Sequence, residues 1–102
     1  MPVQRCSSLA EIRDRIDALD CQIVRLLAQR GEYVLQAAGF KRDANDVRAP
    51  ARARQVVERA MRLATEAGSD AQVVGRIYAE VVAAFTDAEL AAHGRKNVTQ
   101  NI

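Results

Sequence analysis

From Leu9 onward the apolar residues recur at alternating steps of three and four: Leu9, Ile12, Ile16, Leu19, Ile23, Leu26. The same alternation continues through Arg30, Tyr33, Ala37 and Phe40. Such a heptad seam is the signature of a helix that lays one stripe against another helix. It predicts a helix from about Leu9 to about Lys41, near 50 Å long at ~1.5 Å per residue. Ser8-Leu9-Ala10-Glu11 opens it as a capping box, the Ser8 hydroxyl accepting from the third backbone N–H while Glu11 reaches back. Gly31 and Gly39 each weaken the helix by ~1 kcal/mol relative to Ala without interrupting the pattern.

A polar connection follows from Asp43 to Ala49, and Pro50 then suits the first turn of a second helix. The apolar face of that helix is Val56, Val57, Ala60, Met61, Ala64 and Ala67, and Gly68 is its stop. Ser69-Asp70 cap a third helix with the seam Val74, Ile77, Val81, Ala84 and a flanking row Tyr78, Val82, Phe85, ending near His93-Gly94. The chain of 102 residues is expected to be a single all-α domain of three helices, one long and two shorter. Its core is expected over about 6–93 and a polar, mobile tail over 95–102. The 19 alanines favour helix, and Gly and Pro together number only 7, too few for a turn-rich β chain. There is no internal repeat.

A compact body of this length has a radius of gyration near 13 Å, which a ~50 Å helix does not fit. Two shorter helices would also leave part of its seam wet. An intertwined helical homodimer answers both problems, since a two-fold pair is the commonest arrangement.

Composition excludes several classes of function. A net charge of +2 sets up no strong field to draw nucleic acid or a membrane. No apolar run approaches the ~20 residues of a membrane span, and the segment from Met1 to Arg5 lacks the apolar stretch of a signal peptide. The lone His93 reads as a surface residue near a helix end; with it, no zinc site of usual spacing can be assembled. No metal or cofactor is expected. Cys6 and Cys21, fifteen residues apart, read as two buried thiols in a reducing cytoplasm. The expected setting is cytoplasmic.

Several charges stand where apolar residues belong. Arg30 occupies a seam position, where a guanidinium is costly unless an anion meets it. Lys41 lies eleven residues later, about 20° past three full turns, so the two are expected to share a face ~16 Å apart, with room for a small dianion between. Glu89 extends the apolar row of the third helix. Arg48 and Arg52 flank Pro50, where a helix N-terminus favours anions. Arg13 is ~25 Å from Arg30 and turned ~260° from it, so only a neighbouring antiparallel copy can bring both to one ligand. Each charge alone also reads as part of a solvated helix face. The combination of inward Arg, in-phase Lys and inward Glu points to an anion site.

The ordered set Cys6, Leu9-Ala10-Glu11-Ile12-Arg13, Ile16-Asp17, Asp20, Ile23-Val24, Arg30, Tyr33-Val34, Ala37-Ala38, Phe40-Lys41, Ala49-Pro50, Arg52, Gly68 and Asp70 resembles the all-helical chorismate mutases. It resembles more closely their isochorismate-pyruvate lyase relatives of salicylate biosynthesis. The likeness spans about residues 6–93. Tyr33-Val34, Phe40-Lys41 and the Ala-Pro before Arg52 lean toward the lyase branch.

The resemblance implies a cofactor-free pericyclic enzyme and a role for each charge. Arg13 matches the arginine donated from the partner subunit to a substrate carboxylate, and Arg30 the arginine that clamps the other carboxylate. Lys41 matches the lysine that bonds the ether oxygen. Arg48 falls on a mobile-loop arginine, and Arg52 on a pocket arginine of the second helix. Glu89 stands where Gln is common, opposite the lysine. Two acidic residues common in the mutases are replaced by Ala49 and Ala53, as in the lyase branch, whereas Glu89 departs from that branch. The implied reaction is chorismate to prephenate, the alternative isochorismate to salicylate and pyruvate. A helical dimerisation or nucleic-acid module is the non-enzyme alternative; it leaves Arg30 in the seam unexplained and lacks a clustered basic face with stacking aromatics.

Overall fold

The computed structural model describes residues 3–100 and contains four helices, α1 (Leu9–Ala38), α2 (Ala44–Arg48), α3 (Pro50–Glu66) and α4 (Ala71–Gln100), with no strand among the described residues. The all-α frame of three main helices is as expected, with two amendments. A five-residue helix, α2, lies in the polar connection, and α4 is as long as α1, at 30 residues each. The helix was expected to stop near His93-Gly94 but continues to Gln100. A glycine ends a helix by turning left-handed, and among the described glycines only Gly68 has a positive φ. Asn101 and Ile102 of the expected tail, and Met1 and Pro2, lie outside the described residues. None of the described helices is long and apolar enough to cross a membrane.

The chain separates into two units, Met1–Glu32 and Tyr33–Ile102. The first is built on α1 alone. Its cap forms as the residues predict: the Glu11 amide donates to Ser8 Oγ at 3.1 Å. The Glu11 carboxylate reaches one residue further back, accepting from the Ser7 amide and hydroxyl at 3.1 and 3.0 Å, and these bonds lower its pKa. The whole seam of this unit, Leu9, Ile12, Ile16, Leu19, Ile23 and Leu26, is exposed. Cys21 is exposed and Cys6 half-buried, so neither is the buried thiol expected from composition; Cys21 sits on a helix with no second element in its unit to cover it.

In the second unit α3 and α4 pack on small residues. Ala60, Ala64 and Gly75 are buried, and a Cβ at Gly75 would meet the Met61 Cγ and Sδ at 3.0 Å, so a larger residue there requires the Met61 side chain to shift. Gly68 closes α3 as expected: its φ is +76°, and the Ser69 amide bonds the Ala64 carbonyl at 2.8 Å, the six-to-one bond of a Schellman stop. Asp70 then caps α4, accepting from the Gln72 amide at 2.8 Å. The flanking row of α4, Tyr78, Val82 and Phe85, is the more covered one, whereas Ile77 of the expected seam is exposed.

The turn from α1 to α2 departs most from expectation. α1 ends at Ala38, three residues short, because the next amides bond three residues back rather than four: Gly39 to Gln36 at 3.1 Å, Phe40 to Ala37 at 3.0 Å. Asp43 caps α2 by accepting from the Asp46 amide at 2.9 Å, and Asp46 accepts from the Arg42 backbone and Nε at 3.0 Å each. Those two bonds hold the Asp46 carboxyl below its ordinary pKa. Val47 is buried, and α2 packs on α4.

Ala49, between α2 and α3, has φ 34° and ψ 65°, a left-handed conformation that costs a residue with a Cβ roughly 1–2 kcal/mol. It is held there by the bond from its amide to the Asn45 carbonyl at 3.0 Å and by Pro50 at the first turn of α3. Ala49→Gly is therefore expected to stabilise the protein by about 1 kcal/mol in urea unfolding at fixed protein concentration. An unchanged or lower midpoint would show that the strain is not stored at Ala49.

Candidate active site

The second unit brings Lys41 and Glu89 together. Lys41 Nζ lies 2.7 Å from Glu89 Oε2. The Glu89 side chain is only 6% exposed and that of Lys41 27%, so this is a largely desolvated ion pair rather than a surface one. Oε2 is buried, and among the described residues it has no hydrogen-bond partner beyond this ion pair.

The route to this pair differs from the helical arithmetic. Lys41 stands beyond the end of α1, in the short stretch before Asp43, so a shared helical face with Arg30 does not apply to it. Its side chain meets Glu89 because the turn after Ala38 redirects the chain and α2 docks on α4. Glu89 is where its row predicts: Tyr78, Val82 and Phe85 lead down one face of α4 to it.

His93 joins the same place. It was expected at the surface but is only 5% exposed, and its Nε2 lies 2.8 Å from the Lys41 carbonyl. The carbonyl can only accept, so Nε2 carries the proton and donates. His93 follows Glu89 by four residues, one turn further on the same face, and that spacing was the signal in the sequence: an inward Glu89 brings His93 inward as well. The pattern Asp43-x-x-Asp46 was likewise a readable cap for α2.

Of the remaining candidates, Arg48 and Arg52 belong to the second unit and Arg13 and Arg30 to the first. Arg48 is exposed on the last residue of α2. Arg52 is exposed in the first turn of α3, where it donates to Gln55 Oε1 at 3.0 Å. Ala53 lines an open groove of about 380 Å³ between α3 and α4, with Arg54, Val57, Glu58, Ala79 and Val82, and none of the six candidate residues faces it. In the first unit, Arg13 is exposed on α1 and Arg30 is half-buried on the same helix.

Chemically, the cluster offers a cation with more than one donor. An ammonium has three N–H groups. One faces Glu89, and the others remain for an oxygen placed beside the pair. Such a donor in a partly dry site suits a reaction in which negative charge grows on one oxygen.

Comparison with known proteins gives two matches. The family model for chorismate mutase type II matches residues 12–90, which contain all six candidate residues and stop short of His93. The isochorismate pyruvate lyase of Pseudomonas aeruginosa is 36% identical over 77 residues, covering 76% of this chain and 76% of that protein.

Proposed function

The chain belongs to the chorismate mutase type II family, and on that premise we propose that it rearranges chorismate to prephenate in a pocket completed by a second copy of itself. The observation that carries this reading is the Lys41 ammonium held 2.7 Å from a buried Glu89. Chorismate has two carboxylates, an enolpyruvyl ether and a ring hydroxyl. Its rearrangement is pericyclic and needs no nucleophile. The enzyme must fold the side chain over the ring, a gain of proximity and orientation. It must also stabilise the ether oxygen as the C–O bond breaks.

In this reading Lys41 donates to that oxygen. Arg30 clamps one carboxylate, and Arg13 of the second copy takes the other, in bidentate fashion where the fork allows. Arg48 and Arg52 line the approach. The second copy is supported by the exposed seam: six large aliphatic side chains of α1 lie open, each contributing about 1.5–3 kcal/mol when buried. A cytoplasmic setting goes with the free thiols of Cys6 and Cys21.

Glu89 helps the ether oxygen only as a neutral acid. Ionised, it repels the developing charge and offsets the ammonium beside it. Glu89→Gln, which keeps the shape and supplies an N–H donor without the charge, is therefore expected to keep or raise turnover of chorismate. A Gln variant slowed about tenfold or more would remove the neutral-acid role from Glu89.

The lyase reaction is the second reading. It is favoured by the Pseudomonas aeruginosa relative and by Ala49 and Ala53, which offer no carboxylate to a ring hydroxyl. The same clamps would hold isochorismate while a ring hydrogen moves to the pyruvyl carbon and salicylate separates. Incubation with each substrate decides: loss of chorismate absorbance without salicylate fluorescence supports the mutase, and salicylate from isochorismate supports the lyase. Inertness toward both would overturn the assignment.

A further inference from the structure

We propose that His93 is a positioning residue for Lys41, holding the lysine backbone so that its ammonium stays beside Glu89; the catalytic part of this proposal rests on the role given to Lys41 above. Lys41 lies between helices, outside any regular hydrogen-bond ladder. Its amide reaches the Ala38 carbonyl only at 3.4 Å, a long bond. Its carbonyl, by contrast, receives the His93 Nε2–H at 2.8 Å. The next amide, that of Arg42, donates to Asp46 at 3.0 Å.

The lysine is thus gripped at two points by one face of α4. Glu89 meets the ammonium, and His93, one turn later, meets the carbonyl of the same residue. A side chain with four rotatable bonds is only as well placed as the backbone it grows from, and a misplacement of about 1 Å costs up to ~100-fold in rate. His93 is buried, takes no part in the proposed chemistry, and still makes a short polar bond across 52 positions of sequence. A buried polar ring without such a task would cost stability. Both the neutral Nε2–H form and the imidazolium can donate, so the grip does not depend on the charge of the ring.

The test uses the full-length chain and three variants. His93→Phe keeps a ring but removes the donor; His93→Gln returns an N–H near the Nε2 position. With chorismate as substrate, His93→Phe is expected to lower kcat about tenfold with KM changed less than threefold, and His93→Gln to recover kcat to within about threefold. In a Lys41→Met background, His93→Phe is expected to add no further loss. With Lys41→Met slow as expected, a Phe variant with unchanged kcat, a Gln variant no better than Phe, or fully additive losses would each overturn the proposal.

A second measurement is independent of activity. The chain has one other lysine, Lys96, so Lys96→Arg leaves Lys41 alone to report by NMR of its ammonium. His93→Phe is expected to shift that signal toward a solvent-exposed lysine, and His93→Gln to leave it in place. If Lys41→Met retains full activity but the signal moves as expected, the catalytic role of Lys41 fails while the positioning stands. If the signal does not move, the positioning fails.

Discussion

Lys41→Met is expected to lower kcat for the proposed pericyclic reaction by about 100- to 1,000-fold, the loss that follows removal of one preorganised donor from a developing oxyanion. The direction rests on geometry: the Lys41 ammonium is the group paired with buried Glu89, and the site is partly closed to water. The substitution also leaves Glu89 buried without a cation, a structural cost of several kcal/mol if the carboxyl stays ionised. Lys41→Met combined with Glu89→Gln removes that cost by removing the charge. The double variant is expected to match the parent in far-ultraviolet circular dichroism and thermal midpoint while remaining as slow as the single one. A double variant that regains activity would assign the loss to the stranded carboxylate instead of to a missing donor.

Arg13→Ala and Arg30→Ala, each made alone, are expected to lower kcat/KM by about 100-fold or more, the loss of one charged clamp on a carboxylate. Co-expressed, they are expected to recover about a quarter of the parent activity. Random pairing of two chains gives about half mixed dimers, and a two-fold pair with shared sites leaves one of the two sites intact in each. No recovery on mixing, with dimers present by light scattering, would place both arginines in the same chain's pocket. The exposed seam of α1 bears on this directly. Leu19, Ile23 and Leu26 are each more than half exposed in the single chain. A lone helix with such a stripe gains most of its stability from what it packs against.

Much of this was legible in local pattern. The alternation of three and four from Leu9 marks α1, Ser8 and Glu11 mark its start, Pro50 the start of α3, and Gly68 and Asp70 the turn into α4. Each is a short-range signal, set within one or two turns of helix, where backbone donors and side-chain caps are neighbours in sequence. Glu89 could be placed in the same way, because a row of large side chains at helical spacing leads to it.

Other features lay outside those signals. Ala38, where α1 ends, is followed by Gly39 and Phe40, and nothing in the heptad alternation marks the break. The left-handed Ala49 is a residue type that disfavours that conformation, so it is held there by its surroundings. The inward side of His93 follows from its spacing to Glu89, but its partner does not, because a backbone carbonyl has no side-chain signature.

Composition and periodicity determined that this chain is helical, where its principal helices begin, and which side chains each one turns to a common face. Only the tertiary structure decided that Lys41 leaves the helix, meets Glu89, and is gripped through its carbonyl by His93. The reason is range. Helix phase and caps depend on residues a few positions apart, whereas the contact of Lys41 with Glu89 and His93 joins distant positions through the docking of α2 on α4, and no local rule contains it.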